Sequence, residues 1–143
     1  MRRALAIGES SYGKDHPSVA TQLNNLAQLL QATNRLSEAE PLMRRALAID
    51  ESSYGKDHPR VATQLNNLAQ LLQATNRLSE AEPLMRRALE ILLRFTTITG
   101  HQHPHLQAGI GNHAELLGAM GLSDVEIRRR LNEILMQFGM SLD

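Results

Sequence analysis

The chain has 143 residues, with 15 Lys plus Arg against 15 Asp plus Glu, no cysteine and 3% aromatic residues. That length fits one domain, and the lack of cysteine excludes disulfides, thiol catalysis and cysteine-ligated zinc. Charge is balanced locally as well, 9 basic and 9 acidic side chains in residues 1–84 and 6 and 6 in 85–143, so no basic stripe exists for phosphates and no nucleic-acid partner is expected.

No apolar run approaches the ~20 residues that span a bilayer. The opening Met1-Arg2-Arg3 leads into Ala4-Leu5-Ala6-Ile7, too short for the apolar core of a secretory signal. No membrane partner is expected, and a cytoplasmic location is the default. Leu and Ala dominate, which favours helices over strands.

An internal repeat sets the architecture. Residues 1–42 and 43–84 align without a gap at a period of 42 and differ at two positions, Gly8 against Asp50 and Ser18 against Arg60. A third unit starts at Met85 and then diverges. Its His103-Pro104 lies 45 places after His58-Pro59, which makes the intervening segment three residues longer.

In chain order, the spacing predicts seven helices. The first, 2–12, carries an apolar face of Ala4, Leu5 and Ile7. It is the second helix of a pair, so the sequence reads as a piece of a longer array, and the open face is expected to fray or to find another copy, as a homodimer or by end-to-end stacking. A second helix covers 17–33. The third, 37–54, starts at a Ser37–Glu40 capping box with Pro41 in its first turn, and buries Leu42, Met43, Ala46, Leu47 and Ile49. Gly55 ends it. Pro59 opens 59–75, where Val61, Leu65, Leu68, Ala69 and Leu72 fall at spacings of three and four. Thr75-Asn76-Arg77 breaks the pattern, and a Ser79–Glu82 box with Pro83 starts 79–98. Phe95 and Ile98 are expected to adjust packing beside the insertion. Pro104 opens 104–120. Ser123-Asp124-Val125-Glu126 caps 123–138, whose inner face is read as Val125, Ile127, Leu131, Ile134, Leu135 and Phe138, with Arg128 to Arg130 fanned over a solvated face. Short links make neighbouring helices antiparallel, and the fixed period predicts an all-α stacked solenoid. The single domain divides into 1–16, 17–58, 59–103 and 104–143.

The run GKDHPxVATQLNNLAQLL followed by RLSEAEPLMRRALAI resembles the 42-residue tetratricopeptide repeats of kinesin light chain and its bacterial relatives. That resemblance implies helix-turn-helix repeats in a right-handed superhelical solenoid. The first helix of each pair would line a concave groove that receives peptides or partner helices. It also implies that the second Asn of the LNN motif, here Asn25, Asn67 and Asn112, meets the ligand backbone. Two departures stand out. Thr21 and Thr63 occupy places where that family has a basic residue, and Gly8 and Asp50 stand where it has an arginine, so an acidic ligand is not implied. The long heptad coiled coil of kinesin light chain is absent, so a kinesin cargo adaptor is not the reading.

The candidate groove residues are Thr21, Asn24, Asn25, Gln28, Thr63, Asn66, Asn67, Gln70 and Asn112. Asparagine has mediocre propensity in mid-helix, and its amide both donates and accepts. It can grip a peptide main chain or tie neighbouring helices together, and the sequence leaves both open. His101, His103 and His105 form an alternating run. His103 aligns with His16 and His58 at helix starts, and a structural zinc site needs four ligands, so no metal is expected. The pairs Arg2-Arg3, Arg44-Arg45 and Arg86-Arg87 recur once per unit and are expected to meet acids of neighbouring units on the outer surface. No phosphate loop, zinc motif or nucleophile elbow is present, so no catalysis and no cofactor are expected. The expected function is a protein- or peptide-binding scaffold. The alternatives are a self-association element and the sensor arm of a larger bacterial signalling ATPase or effector protein.

Overall fold

A computed structural model describes residues 16–142. It contains six helices: α1 (Pro17–Ala32), α2 (Leu36–Tyr54), α3 (Pro59–Ala74), α4 (Leu78–Thr99), α5 (Leu106–Ala119) and α6 (Asp124–Met136). The helix predicted at 2–12, with the open face and the pairing drawn from it, lies outside the described residues. The other six predicted helices are present. Each helix packs on its neighbours in sequence, α1 on α2 through to α5 on α6. Among the described residues, no helix is long and apolar enough to cross a membrane.

The helix starts explain the His-Pro pairs. His16 and His58 are extended N-caps, and their Nδ1 atoms accept from Ser18 N at 3.0 Å and Arg60 N at 3.1 Å. Each satisfies one orphan donor of the first turn, while the following proline has no N–H to satisfy.

The helix ends use asparagine in the left-handed region, with φ of 61° at Asn34 and 60° at Asn76. Asparagine tolerates that region better than most residues. Arg35 N bonds to Leu30 O at 2.7 Å and Asn34 N to Gln31 O at 2.9 Å, which closes a Schellman turn; Arg77 and Asn76 repeat it on Leu72 and Gln73.

This turn moves the next helix start. Leu36 and Leu78 are already helical, and Arg35 and Arg77 are the N-caps with no side-chain cap bond. The predicted Ser37–Glu40 and Ser79–Glu82 boxes therefore do not act as caps, because both serines sit inside the first turn. Arg35 instead pairs with Glu38, and Arg77 with Glu80. Glu40 is left for Arg44 and, across units, for Arg77. Burial works against the ionised Glu40, but the bonds from Arg44 and Arg77 outweigh it and hold the carboxyl below the usual range. The box at Ser123 does form, with Glu126 N donating to Ser123 Oγ at 3.3 Å and Ser123 N to Glu126 Oε1 at 3.4 Å.

The core follows the expected spacing. Val61, Leu65, Leu68, Ala69 and Leu72 are all buried, as are Met43, Ala46 and Ile49, with Leu42 and Leu47 half-buried against them. Three readings need correction. Ile98 is 76% exposed, because the insertion lengthens α4 past the body of the stack: α4 has 22 residues against 19 in α2. Phe95 alone packs at this junction, edge-on to His103 at 4.9 Å between ring centres. Val125 is 78% exposed, since as the second residue of α6 it turns away from the Leu131, Ile134 and Leu135 face. Pro104 also precedes α5 rather than opening it. His103 Nδ1 accepts from His105 N at 3.1 Å in the loop, and the helix begins at Leu106.

The arginine pairs divide their work. Arg44 and Arg86 bond within their own helices, to Glu40 and Glu82. Arg87 reaches the preceding unit, with Nη2 at 2.8 Å from Glu51 and 3.2 Å from the Lys56 carbonyl. Such half-exposed pairs contribute little each, but they fix how one unit meets the next.

Candidate functional site

The asparagines of α1, α3 and α5 form a ladder. Asn67 Nδ2 donates to Asn24 Oδ1, and Asn112 Nδ2 donates to Asn66 Oδ1, both at 3.4 Å. The second Asn of one unit thus reaches the first Asn of the unit before it. These four side chains are half-buried, while Asn25 in the first unit is exposed. Each bond is long for an N–H···O contact and takes one of the several donor and acceptor places of an amide. Thr21, Gln28, Thr63 and Gln70 on the same helices are exposed, and Thr21 Oγ1 and Thr63 Oγ1 donate to the carbonyls of Pro17 and Pro59 at 3.5 Å.

Two pockets open beside this ladder. The first, about 210 Å³, lies between α3, α4 and α5, with Ala62, Met85, Ala88, Leu92 and Ala108 on its walls and Asn66 and Asn112 at its side. Gly109 makes room there, because a Cβ would stand 3.4 Å from Leu92 Cδ1. The second, also about 210 Å³, lies one junction earlier between α1, α2 and α3. It is lined by Thr21, Asn24, Asp50, Arg60, Thr63 and Gln64. A wider depression beyond the first holds Gln70, Gln73, Asn112 and Glu115. Thr21, Asn24, Thr63, Asn66, Gln70 and Asn112 therefore line pockets. Asn25, Asn67 and Gln28 line none of these three.

Two features escaped the sequence reading. Asp50 is a charged residue on the apolar face of α2, one turn after Ala46 and two after Met43; it is fully buried, and Gln64 Nε2 donates to its Oδ2 at 3.0 Å. The signal was present in the repeat itself, since Asp50 and Arg60 are the residues that set the second unit apart from the first. The Arg60 guanidinium lies 5.2 Å above the Tyr54 ring and donates to Thr21 Oγ1 at 3.4 Å. The second feature is His113 on α5. It is 1% exposed, with Nε2 3.5 Å from Glu82. Burial pushes its pKa below the ordinary histidine value, and the nearby Glu82 carboxylate offsets only part of that.

The sequence matches the tetratricopeptide repeat profile over residues 1–52 and 38–94. Among solved structures, BtubC (BKLC) of P. vanneervenii superposes with a TM-score of 0.79 at 23% identity, over 99% of this chain and 57% of that one. The nearly identical TPR-like repeats of a protein assigned as kinesin light chain in Podosopora anserina superpose with a TM-score of 0.74 at 24% identity, over 96% of this chain and 61% of that one. The chain thus spans about three fifths of the length of these structures. A search among curated protein sequences finds no match. With two overlapping profile matches across residues 1–94 and a fold of stacked helix pairs, the chain belongs to the tetratricopeptide repeat family, whose repeats serve as non-catalytic scaffolds for contacts between proteins.

Proposed function

We propose that the face built by α1, α3 and α5 is a groove that binds an extended peptide segment of another protein. The observation that supports it most is that both pockets open beside the asparagine ladder: Asn24 borders one, and Asn66 and Asn112 border the other. A peptide laid along the ladder would bond its main chain to the amide groups and send side chains into the pockets. Main-chain bonds of this kind supply affinity, and the pockets supply selectivity. The test is the affinity of a peptide selected on this chain for its Asn25→Ala/Asn67→Ala form, measured by calorimetry. A loss of about tenfold or more is expected for two bonds of about 1 kcal/mol each. Unchanged affinity would sink the groove reading.

A second reading, association between copies, draws on the far end of the stack. Val125 and Met136, 78% and 68% exposed, lie on one side of α6 with Asn132 between them. A following unit could stack on that strip. Light scattering across a concentration series tests it: a mass of 15.9 kDa at every concentration removes the reading, and a rising mass that Val125→Ser restores to 15.9 kDa supports it.

A further inference from the structure

We infer that the pocket between α1, α2 and α3 receives a cationic side chain, the ammonium or guanidinium of a lysine or arginine in the bound peptide, and that Asp50 selects it. The inference rests on the groove reading above and adds to it the chemistry of the ligand.

The first support is where the repeats diverge. Units 1–42 and 43–84 differ at two positions, and both second-unit residues, Asp50 and Arg60, line this one pocket. The two changes are ten residues apart in sequence, one near the end of α2 and the other at the start of α3. The fold brings them together.

The second support is unmet hydrogen bonding. Asp50 and Gln64 are 0% and 5% exposed, and they share one bond. Among the described residues, Asp50 Oδ1 and Gln64 Oε1 have no hydrogen-bond partner. Buried acceptors are rarely left without donors, because the lost hydration is not replaced. Two such acceptors in one pocket call for a group that brings several N–H donors and no lone pair. An ammonium has three donors and a guanidinium five, and neither accepts. A carboxylate or phosphate would instead meet two facing oxygens.

The neighbouring arginine does not fill the place. Arg60 is held on the Tyr54 ring and on Thr21, and no ion pair with Asp50 is found among the described residues. Seated on the tyrosine, it forms the rim, where it would bond a peptide carbonyl.

The next junction supplies the contrast. Leu92 takes the place of Asp50, and Gly109 that of Gln64, so the equivalent pocket is apolar. The two steps of the groove therefore read different side chains, a cation at the first and an apolar group at the second.

The test uses random peptides displayed on phage, selected against the chain and against its Asp50→Leu form, which installs the residue of the next junction. Circular dichroism verifies that both remain helical, and Asp50→Asn, equal in shape, serves if the leucine does not fold. Wild-type binders are expected to carry Lys or Arg at one fixed position. In a synthetic copy, norleucine at that position should weaken binding to wild type about tenfold or more, and to the Asp50 variant by less than about twofold. Binders without a fixed basic position, or with equal losses on both proteins, overturn the role of Asp50; the groove still stands if Asn67→Ala weakens them. An absence of binders, or binders indifferent to both Asp50→Leu and Asn67→Ala, overturns the groove and this inference together.

Discussion

Asparagine 67 separates two roles that the ladder combines, since replacing it by alanine affects stability and binding to very different extents. The side chain gives the stack one hydrogen bond, to Asn24 at 3.4 Å, between two half-buried groups. A bond of that length is worth at most about 0.5–1 kcal/mol net. Its loss leaves Asn24 Oδ1 near water rather than sealed in the core, so no large desolvation cost is added. Against it stands helix propensity: alanine in the middle of α3 gains about 0.5 kcal/mol over asparagine. The two terms nearly cancel, and Asn67→Ala should shift the unfolding free energy by no more than about 0.5 kcal/mol. Urea unfolding followed by circular dichroism reads this as a nearly unchanged midpoint and slope. A drop of more than about 2 kcal/mol would refute the reasoning, because it would make the ladder a structural pin and not a surface with spare bonding capacity.

Four further substitutions test other parts of the account. Leu65 is fully buried between α3 and its neighbours, so Leu65→Ala should cost about 2–5 kcal/mol in the same urea experiment, while Val125→Ser on the exposed side of α6 should change little. Gly109→Ala should stabilise α5 by about 0.5–1 kcal/mol through helix propensity, since its Cβ would meet Leu92 Cδ1 at 3.4 Å without overlap; it should also narrow the apolar pocket and weaken peptides with a large side chain there. His113, buried with its pKa pushed below the ordinary 6.5, binds its proton more readily in the unfolded chain. Its contribution is therefore complete above pH 6.5 and is lost as pH falls toward the lower folded value. Urea midpoints measured down that range should decline less steeply for His113→Gln, and equal slopes would remove His113 as the cause.

Much of the fold was legible because it rests on periodicity. The apolar residues of α3 recur at three and four, and nothing but a buried helix face accounts for Val61, Leu65, Leu68, Ala69 and Leu72 together. The helix starts were harder. Ser79 and Glu82 have the spacing of a capping box, but Asn76 in the left-handed region lets the Schellman turn place Leu78 in the helix first. Local sequence offered two compatible starts, and the turn decided between them. Val125 and Ile98 misled for a related reason: an apolar residue near a helix end has no periodic neighbours to fix which way it faces. The site was legible in part. Mid-helix asparagines announced the ladder, but the offset pairing of Asn67 with Asn24 rather than Asn25 depends on how far one unit rotates on the next. Asp50 was visible as a difference between units. Its burial was not, because a charged residue in a helix ordinarily faces water, and Gln64, which bonds it, lies 14 residues away on another helix.

The central claim is that a peptide lies along α1, α3 and α5, and the most direct test watches the side-chain amides. Nitrogen–proton correlation spectra of labelled protein resolve the amide groups of asparagine and glutamine, and a selected peptide can be titrated against them. The account predicts that Asn24, Asn66, Asn67 and Asn112 shift, together with Gln64 in the acidic pocket, while the backbone signals of Val125 and Met136 on the exposed strip of α6 stay in place. Shifts gathered on that strip of α6, with the asparagine signals unmoved, would contradict it.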